Sequence, residues 1–520
     1  MKIVVCDRLE PQAEARLQQQ CSNLVLLQSP DRDEIICQAT DADALIVRSH
    51  TTIDRSIIEA CPSLRVIGRA GSGSYNIDVE AASKNGIVVL HTPVISSTST
   101  AELTIALMIG AARKLGQAVD SLQQGLWDRG ALKGIELSGE TLGIVGYGNI
   151  GKRVGEIARA MGMEVLAHDP YVRYQPGESP TINMLERDEM LRRSRVVVVT
   201  CPLTDETRGM CDGAFFNAMA DDSLFVNVGH GLVVDEEALV AAIDQNKLFG
   251  AALDVFAQEP ADAQAAVVAH PRILTTPHIG AATRKAQEGV CQDVVDKVLG
   301  FLESGYISGS INMPVIGEGG ELNISGYVDL AGKLASMVSQ LDEETSSLQL
   351  HVHGRLAFGE TSALESRVAR EFLQARNIDA NDINGRFLLG DHRISFSLHT
   401  REQGASFVNE VQLQTDNYRI KGTLLADKYP RIVEVNEFKV EAIPQGTMLF
   451  FRNYDRPGVI GNLGQLLGAR NINVANMRLG FRGDDEAIAM VNIDTTVDSH
   501  TIDEITRIEN IIDCYQLEFT

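Results

Sequence analysis

The sequence predicts an α/β protein up to about residue 317 and α+β structure after it. Two observations favour the first part: short β-branched runs recur in two successive series, and helix-like stretches separate the runs within each series. Alternation of this kind is typical of parallel sheets covered by helices. A third observation concerns residues 444–520, whose segments follow the order strand, helix, strand, strand, helix, strand. That order suits a small ferredoxin-like module.

The first series extends from Met1 to about Ser97. Its strand-like runs are IVVC, ALIVRS, VIGRAG and IVVLHTP, and PQAEARLQQQ is the helix-like stretch after the first of them. We expect these residues to form one parallel α/β unit of flavodoxin-like type.

The second series follows a helical segment that we expect from about Thr98 to Leu122. Its six strand-like runs are TLGIVGYG, EVLAHDP, VVVVTCP, SLFVNVGHG, GAALDVF and RILTTPH. Six strands with intervening helices are what a doubly wound Rossmann sheet requires. The sequence therefore predicts a dinucleotide-binding domain of this type, inserted in the first α/β unit.

The chain of 520 residues is too long for one hydrophobic core, and its patterns predict four domains. A helix from about Arg284 to Ser304 leads into INMPVIGEGGE, whose glycines and proline indicate a linker. Between this linker and the last module we expect strands around LQLHVHG, RFLLGDHRISFSLHT and YRIKGTLLADKYPRIVEVNEFKVEA. The predicted domains are 1–97 with 290–317, 98–289, 318–443 and 444–520.

The composition excludes several classes of protein. No stretch reaches the roughly 18 uncharged apolar residues of a membrane span, and the N-terminus resembles a first strand rather than a secretory signal. The eight cysteines are scattered singly, without zinc-site spacing, so we expect reduced thiols and no metal site. We therefore expect a cytoplasmic protein that does not insert into a membrane.

The net charge of −24 has consequences for ligands. It repels polyanions and leaves no basic face for a nucleic-acid backbone, so we expect no nucleic-acid partner. An anionic substrate would have to be bound by a few local Arg, His or helix N-terminal groups.

A glycine-rich motif joins the strand TLGIV to the helix KRVGEIARAMGM. It comprises Gly146, Tyr147, Gly148, Asn149, Ile150 and Gly151. Gly146 permits a tight turn, Gly148 lets the backbone approach a pyrophosphate, and Gly151 allows close packing of the helix on the strand. Asp169, at the end of the next strand, would bind the adenosine ribose and repel a 2′-phosphate. The alternative is a tight turn without a ligand, but the full strand–turn–helix context favours NAD, rather than NADP, as cofactor.

Further motifs occur between residues 67 and 283, and the resemblance that they carry extends over essentially the whole chain. They are IGRAGSGSYNIDVEAA, SGETLGIVGYGNIG, CPLTDETRGM, NVGHGLVVDEEAL, AALDVFAQEP and TTPHIGAAT. With them the chain resembles the D-isomer-specific 2-hydroxyacid dehydrogenases, and among these the long-form phosphoglycerate dehydrogenases. The resemblance implies that His278 is the catalytic acid/base and that Glu259 pairs with it. As isolated residues they would be a loop histidine and a helix-capping glutamate.

The implied chemistry is physically consistent. Hydride transfer at a carbinol carbon requires a proton to leave or join the oxygen, for which an imidazole near its neutral pKa is suited. A carboxylate at the other ring nitrogen fixes the tautomer and stabilises the imidazolium. The resemblance also assigns Thr200, Pro202 and Asp254 to the cofactor side of the site.

His230 stands where the family has a carboxylate-binding arginine. A guanidinium is always charged and bidentate, whereas an imidazole near pH 7 is mostly neutral and offers one donor. Loss of the charged, bidentate contact would cost about 2 to 4 kcal/mol of substrate binding unless another group substitutes. His230 is thus predicted to be a weakened anchor in the catalytic site.

Other positions near the predicted substrate pocket also depart from the family pattern. They are Thr52, Tyr75, Ser96 and, on the cofactor side, Thr200. Arg48, Ser72, Gly73 and Ser96 are the substrate-binding residues that the resemblance implies. Two interpretations stay open: tolerated change within an active phosphoglycerate dehydrogenase, or a changed substrate.

The C-terminal module resembles an ACT domain, in which paired domains bind an amino-acid effector. The resemblance implies that Asn453, Asp455, Gly458 and Asn473 bind L-serine. Carboxyl-type acceptors suit its ammonium group, amide donors suit its carboxylate, and glycine permits close approach. The alternative is an ACT fold that serves only oligomerisation.

The resemblance thus implies NAD-dependent oxidation of 3-phosphoglycerate to 3-phosphohydroxypyruvate, the entry step of serine synthesis, by a homodimer or homotetramer. Two alternatives remain. One is a dehydrogenase for a different 2-hydroxyacid or 2-oxoacid, and the other is a weakly active homologue that binds NAD and an amino acid as a regulator.

Overall fold

The computed structural model describes residues 1–172, 182–314, 322–358, 361–402, 407–483 and 485–519. The predicted linker INMPVIGEGGE lies outside the described residues from 315 to 321. Within the described ranges, no helix combines the length and the apolar character needed to cross a membrane.

The first sheet is parallel and has the order β2-β1-β3-β4-β5. Its strands are β1 Lys2–Val5, β2 Asn23–Leu26, β3 Ala44–Val47, β4 Val66–Arg69 and β5 Val88–His91. The helices between them are α1 Pro11–Gln20, α2 Arg32–Ala39, α3 Arg55–Glu59 and α4 Val79–Lys84. The predicted α/β unit is confirmed, although the edge strand β2, whose four residues are all partly or fully exposed, was not predicted.

The second sheet is also parallel and has the order β12-β11-β10-β9-β6-β7-β8. Its strands are β6 Thr141–Val145, β7 Glu164–His168, β8 Asn183–Met184, β9 Val196–Val199, β10 Ser223–Asn227, β11 Leu248–Leu253 and β12 Ile273–Thr275. Its order reverses at β6, which lies between β9 and β7, as in a doubly wound fold. The six predicted strands are present, and the two-residue edge strand β8 was not predicted.

Helices cover both faces of this second sheet. They are α5 Ser97–Ala112, α6 Leu115–Gln123, α7 Asn149–Ala160, α8 Arg187–Arg193, α9 Gly213–Ala218, α10 Glu236–Asp244 and α11 Ala266–Ala269, with a 3₁₀ turn at Gly231–Val233. The single helix expected from Thr98 to Leu122 is wrong. Lys114 adopts a left-handed conformation with φ of 53°, which separates α5 from α6.

The helix α12 Arg284–Ser304 returns to the first sheet, as the predicted inserted arrangement requires. Its buried side chains form one hydrophobic cluster with those of β1, β3, β4 and β5. Gly68 of β4 shows how close the contact is, because a Cβ there would lie 2.6 Å from a methyl group of Val298. This packing holds α12, the last helix of the catalytic part, against the N-terminal sheet.

The remaining chain forms one ten-stranded mixed sheet of order β14-β13-β15-β16-β17-β18-β20-β21-β19-β22. Its strands are β13 Ser347–Gly354, β14 Ser395–Arg401, β15 Asn409–Gln414, β16 Arg419–Leu425, β17 Tyr429–Val435, β18 Phe438–Ala442, β19 Gly446–Tyr454, β20 Val474–Phe481, β21 Glu486–Ile493 and β22 Ile511–Phe519. Its helices are α13 Ile324–Leu341, α14 Ser362–Gln374, α15 Gly385–Asp391, α16 Val459–Ala469 and α17 Ser499–Thr506.

The last module has the predicted order of strands and helices, β19-α16-β20-β21-α17-β22. Two details differ from expectation. The run RFLLGD is the helix α15 and not part of a strand, and β18 pairs with β20 at Lys439 and Phe481, which joins the two C-terminal modules into one sheet.

Candidate active site

The glycine turn between β6 and α7 is shaped by three glycines. Gly146 has φ of 91°, and a Cβ there would lie 2.6 Å from the backbone nitrogen of Cys201. A Cβ on Gly151 would overlap the carbonyl oxygen of Gly146, so the helix can pack this closely only without a side chain. Gly148 instead faces open space, because a Cβ added there would meet no atom within 4 Å. The open side at Gly148 leaves room for a ligand against the backbone.

The helix α7 begins at Asn149 with Gly148 as its N-cap, and no side chain caps its first amides. The N–H groups around Asn149 and Ile150 therefore keep their hydrogen-bonding capacity, and the helix dipole adds positive potential. This donor set fits the phosphates of a dinucleotide.

Asp169 lies directly beyond β7, next to the glycine turn. Its Oδ2 accepts a hydrogen bond from the Tyr147 backbone N–H at 2.8 Å, and its Oδ1 accepts one from the Tyr171 N–H at 2.9 Å. Each carboxylate oxygen retains a lone pair, so the residue can still accept from ribose hydroxyls. The residues of the turn and Asp169 together fit a dinucleotide.

Thr200 and Pro202 follow β9 on the other side of the turn. The Thr200 hydroxyl donates to the Gly146 carbonyl at 2.6 Å, which ties the two loops together. The Pro202 carbonyl accepts a hydrogen bond from the Thr207 hydroxyl at 2.7 Å. The structure therefore places Thr200 against the glycine turn and Pro202 two residues further on; their contact with the cofactor stays a prediction.

The structure brings His278 and Glu259 into direct contact, although 19 residues separate them in the chain. His278 Nδ1 lies 2.7 Å from Glu259 Oε2, and the side chains are 52% and 37% exposed. Glu259 Oε1 accepts a second hydrogen bond, from the Phe256 backbone N–H at 3.1 Å, which orients the carboxylate. A carboxylate oxygen can only accept, so the contact assigns a ring proton to Nδ1 and leaves Nε2 to face a substrate.

Asp254 holds the loop that carries His278. Its Oδ1 accepts from the Thr276 hydroxyl at 2.6 Å and the Ile279 N–H at 2.8 Å, while Oδ2 accepts from the Gly280 N–H at 2.8 Å. The residue is only 1% exposed. Asp254 was predicted to face the cofactor, and this positioning role was not foreseen; its contact with the cofactor stays a prediction.

His230 lies close to the catalytic pair. The Gly231 backbone packs so tightly on Phe256 that a Cβ would overlap it, and this places His230 beside the segment that leads to Glu259. Its Nδ1 accepts a hydrogen bond from the Leu232 N–H at 3.2 Å. Burial lowers the pKa of His230; the nearby Glu259 acts in the opposite direction, and the charges of His278 and Arg208 lower it further.

Arg48, on the first sheet's side of the site, is connected through Gln287 to the loop that carries His278. Its guanidinium donates to Gln287 Oε1 and, at 3.2 Å, to the Arg8 carbonyl. Gln287 Nε2 donates in turn to the Ala281 carbonyl at 2.8 Å, three residues beyond His278. Arg48, a predicted substrate-binding residue, is therefore linked through Gln287 to the loop that carries His278.

The other predicted substrate residues lie on two neighbouring loops. Ser72 accepts a hydrogen bond from His91 Nδ1 through its carbonyl, at 3.0 Å, and Gly73 follows it. Ser96 is buried and directly precedes α5, where the Ser99 hydroxyl donates to the Gly280 carbonyl at 2.8 Å. Both loops belong to the same side of the site as Arg48.

Arg69, which supports the loop of Ser72 and Gly73, was not predicted from the sequence. It is only 4% exposed, and its Nε donates to Asn76 Oδ1 at 2.8 Å. Its guanidinium carbon lies 4.7 Å from the centre of the Tyr75 ring. A charged arginine within the otherwise uncharged strand-like run VIGRAG was the signal that could have identified it.

The predicted effector residues lie on the ACT-like module without hydrogen bonds to one another among the described residues. Asn453 is 5% exposed, and its Oδ1 has no partner in the described structure. Gly458 adopts φ of 100° as the N-cap of α16. The backbone N–H of Asp455 donates to the Asp485 carbonyl, and that of Asn473 donates to Asp494 Oδ1.

A doubly wound sheet with an open glycine turn, an acid at the end of β7 and a paired histidine and glutamate defines a nicotinamide-dependent dehydrogenase. Three family descriptions match the chain: "D-isomer specific 2-hydroxyacid dehydrogenase, NAD binding domain" at residues 105–280, "D-3-phosphoglycerate dehydrogenase intervening domain" at 323–436 and "ACT domain" at 447–510. The chain belongs to the D-3-phosphoglycerate dehydrogenase family of the D-isomer specific 2-hydroxyacid dehydrogenases.

Curated relatives match the chain over nearly its whole length. The D-3-phosphoglycerate dehydrogenase of Methanocaldococcus jannaschii is 33% identical over 520 residues, which is 99% of each chain. That of Bacillus subtilis is 33% identical over 477 residues, which is 90% of this chain and 91% of the relative. The predicted family is confirmed.

Solved structures match the catalytic part. A glyoxylate reductase from Paecilomyes thermophila has a TM-score of 0.56 and 29% identity, covering 60% of this chain and 98% of its own. D-lactate dehydrogenase from Aquifex aeolicus, complexed with NAD and lactic acid, has a TM-score of 0.53 and 25% identity, covering 61% and 100%. The predicted fold class and the nicotinamide dinucleotide cofactor are confirmed.

Proposed function

We propose that the protein oxidises 3-phosphoglycerate to 3-phosphohydroxypyruvate with NAD, the first step of L-serine synthesis, and catalyses the reverse reduction. The observation that carries this proposal is the 2.7 Å contact between His278 Nδ1 and Glu259 Oε2 beside a site that fits a dinucleotide. The names of the full-length relatives support the substrate.

The proton chemistry follows from the paired side chains. NAD, when bound, would accept the hydride from the carbinol carbon. As the hydride leaves, His278 Nε2 takes the hydroxyl proton, and the Nδ1–H donated to Glu259 becomes part of an imidazolium that the carboxylate stabilises. In the reduction, the same Nε2 returns the proton to the oxygen. Asp254 keeps the histidine in place because it binds both flanks of its loop.

Substrate binding is divided between the two sheets. Arg48, Ser72, Gly73 and Ser96 lie on the first sheet's side and supply cationic, hydroxyl and backbone groups for an anionic substrate. His230 lies on the other side, within the electrostatic range of the catalytic pair. We infer that the carboxylate next to the reacting carbon lies beside His230.

NADH oxidation with phosphohydroxypyruvate, compared with a panel of unphosphorylated 2-oxoacids, tests the activity. Faster turnover of phosphohydroxypyruvate than of any panel member is the expected result. The second candidate is a dehydrogenase for another 2-oxoacid, which His230 in place of arginine favours. Faster turnover of a panel member would overturn the leading proposal in its favour, and NADH binding without any turnover would indicate a regulatory homologue.

L-Serine is the proposed effector of the ACT domain. Asn453 supports this, because its Oδ1 is buried without a partner in the described structure and an ammonium group would satisfy it. Titration with L-serine should raise the thermal stability or change the turnover, with D-serine as control. No response to L-serine, or an equal response to both enantiomers, would contradict this part of the proposal.

A homodimer through the dinucleotide-binding domain is the proposed minimal assembly, and pairing of ACT domains would extend it to a tetramer. Several large apolar side chains on and after α6 are exposed. They are Leu115 (50%), Val119 (54%), Leu122 (61%), Leu126 (57%) and Trp127 (81%). Such a patch on a described surface is typical of an interface. Trp127→Asp should shift the mass in light scattering to a smaller species, whereas Trp127→Phe should not; an unchanged mass would contradict this interface.

A cytoplasmic location is part of the same proposal. All eight cysteines are free thiols, and seven of them are buried, which suits a reducing compartment. Fractionation of the source cells with an antibody checks it, and recovery in a secreted or membrane fraction would contradict it.

A further inference from the structure

His230 cannot by itself replace the carboxylate-binding arginine that the family has at this position. Its Nδ1 accepts the Leu232 N–H, so the proton of the neutral ring lies on Nε2 and offers a single donor. Burial lowers the pKa of the ring, which keeps it neutral near pH 7. A carboxylate bound there retains an unneutralised negative charge in a protein of net charge −24. A permanent cation near His230 would remove this deficit.

Arg208 occupies a loop that is hydrogen-bonded to the turn after His230. The Gly209 N–H donates to the Leu232 carbonyl, and the Cys211 N–H donates to the Val233 carbonyl, both at 2.9 Å. Arg208 directly precedes this paired stretch, and its charge acts on the pKa of His230. The two side chains therefore start from neighbouring backbone positions at the same edge of the site.

The loop that carries Arg208 is well defined by its own hydrogen bonds. The Arg208 N–H donates to the Thr204 carbonyl at 3.0 Å, and the Thr207 hydroxyl links the loop to the Pro202 carbonyl. The Arg208 side chain itself is exposed, and it makes no hydrogen bond or ion pair with any residue that the structure describes. Its guanidinium thus keeps all five donors available.

Other arginines of the site are already engaged. Arg48 donates to Gln287 and to the Arg8 carbonyl, and Arg69 donates to Asn76 and stacks on Tyr75. Both belong to the first sheet's side, opposite His230. Arg208 is therefore the cation best placed to act together with His230 on the dinucleotide-binding side.

We propose that Arg208 is a substrate-binding residue that shares the carboxylate of the substrate with His230 and supplies the positive charge that the imidazole lacks. Two guanidinium N–H groups and the His230 Nε2–H then give the carboxylate three donors and one full charge. The inference rests on the proposed function only in that the substrate carries a carboxylate beside the reacting carbon.

A double-mutant cycle between Arg208→Gln and His230→Arg tests the proposal. Arg208→Gln should raise the KM of the wild-type enzyme for phosphohydroxypyruvate at least tenfold. In the His230→Arg background the same change should raise KM less than threefold, because the new arginine supplies the charge. Arg208→Lys, which keeps the charge, should recover part of the loss. Equal effects of Arg208→Gln in both backgrounds would overturn the proposal.

Binding measurements separate the substrate from the cofactor and from turnover. Oxalate, a dicarboxylate that is not reduced, should bind the wild-type enzyme–NADH complex at least tenfold more tightly than the Arg208→Gln complex, with the NADH dissociation constant unchanged. Weaker NADH binding with unchanged oxalate binding would overturn the proposal and assign Arg208 to the cofactor. Arg192→Gln, at an exposed arginine of α8, is the matched control and should change neither constant.

The cycle also remains decisive if the proposed substrate is wrong. Slow reduction of phosphohydroxypyruvate by the wild type, with faster reduction of an unphosphorylated 2-oxoacid, would contradict the proposed function. The same cycle measured with that 2-oxoacid would then test Arg208, because every 2-oxoacid has the same carboxylate.

Discussion

The cofactor side and the substrate side of this active site use different parts of the chain. On the cofactor side, Gly146, Gly148 and Gly151 shape a backbone surface, and Asp169 is fixed by two backbone amides. On the proposed substrate side, recognition would depend on side chains such as His230. A backbone site tolerates little variation, because a Cβ on Gly146 or Gly151 would overlap neighbouring backbone atoms. A side-chain site can exchange its groups more easily, and the predicted substrate pocket, with His230 in place of the family's arginine, is an example.

The largest expected effect comes from removing the proposed acid/base, His278. His278→Gln removes the acid/base but keeps a polar side chain of similar size. Proton transfer by a positioned side chain contributes about 10²- to 10⁴-fold, so kcat should fall by that factor. NADH fluorescence titration should give an unchanged dissociation constant. A decrease of kcat by less than a factor of about ten would show that His278 is not the acid/base.

The next largest effect concerns NADH binding alone. Gly148→Ala adds a Cβ where the protein leaves open space, and Gly148 has φ of −81°, which alanine readily adopts. We therefore expect an unchanged thermal midpoint but NADH binding weakened by tenfold or more, about 1.4 kcal/mol, because the Cβ meets the pyrophosphate.

Gly155→Ala, further along α7, is the control for this change. A Cβ there makes ordinary contacts of 3.4 Å or more, so neither stability nor NADH binding should suffer. Equal NADH affinity for the Gly148 and Gly155 variants would contradict the assignment of the turn as the pyrophosphate site.

The contrast between backbone and side-chain sites also explains what the sequence could predict. The spacing of Gly146, Gly148, Gly151 and Asp169 determined the cofactor turn because glycine has few alternative roles at such positions. The contact between His278 and Glu259 came from the family motifs, since no local pattern joins residues that far apart. The positioning role of Asp254 was not predictable, because it depends on the path of the loop around Gly280.

Edge strands, and the junctions between elements or modules, are the other features that the sequence did not predict. The short strands β2 and β8 carry little hydrophobic pattern, and the break at Lys114 depends on one left-handed residue within a continuous helical pattern. The pairing of Lys439 with Phe481, which joins two modules into one sheet, links segments without a shared periodicity. Tertiary packing decides such features.

A pH series sharpens the comparison on the substrate side. Because the pKa of His230 is lowered from its ordinary value near 6.5, the ring is neutral at pH 7 and gains its charge only as the pH falls below that value. Oxalate affinity of the enzyme–NADH complex should therefore increase severalfold as the pH falls from 7 through the lowered pKa.

The His230→Asn variant should show a smaller increase than the wild type, and in His230→Arg the affinity should be high across the whole range because a guanidinium does not titrate there. An identical pH profile in the wild type and His230→Asn would show that the charge of residue 230 does not reach the bound carboxylate.

The smallest expected effect concerns Tyr75, where the family commonly has an acid. Its ring lies over the Arg69 guanidinium, which in turn supports Gly71 and Gly73 of the predicted substrate loop. A cation–π contact of this kind contributes about 0.5 to 2 kcal/mol. Tyr75→Ala should therefore raise KM for phosphohydroxypyruvate a fewfold, without an effect on NADH binding, whereas Tyr75→Phe should retain most of the wild-type KM because the ring remains. If Tyr75→Phe and Tyr75→Ala raise KM equally, the hydroxyl rather than the ring fixes Arg69. If neither variant changes KM, the loop holds its position without Tyr75. Substrate recognition would then rest on the remaining side chains of the pocket.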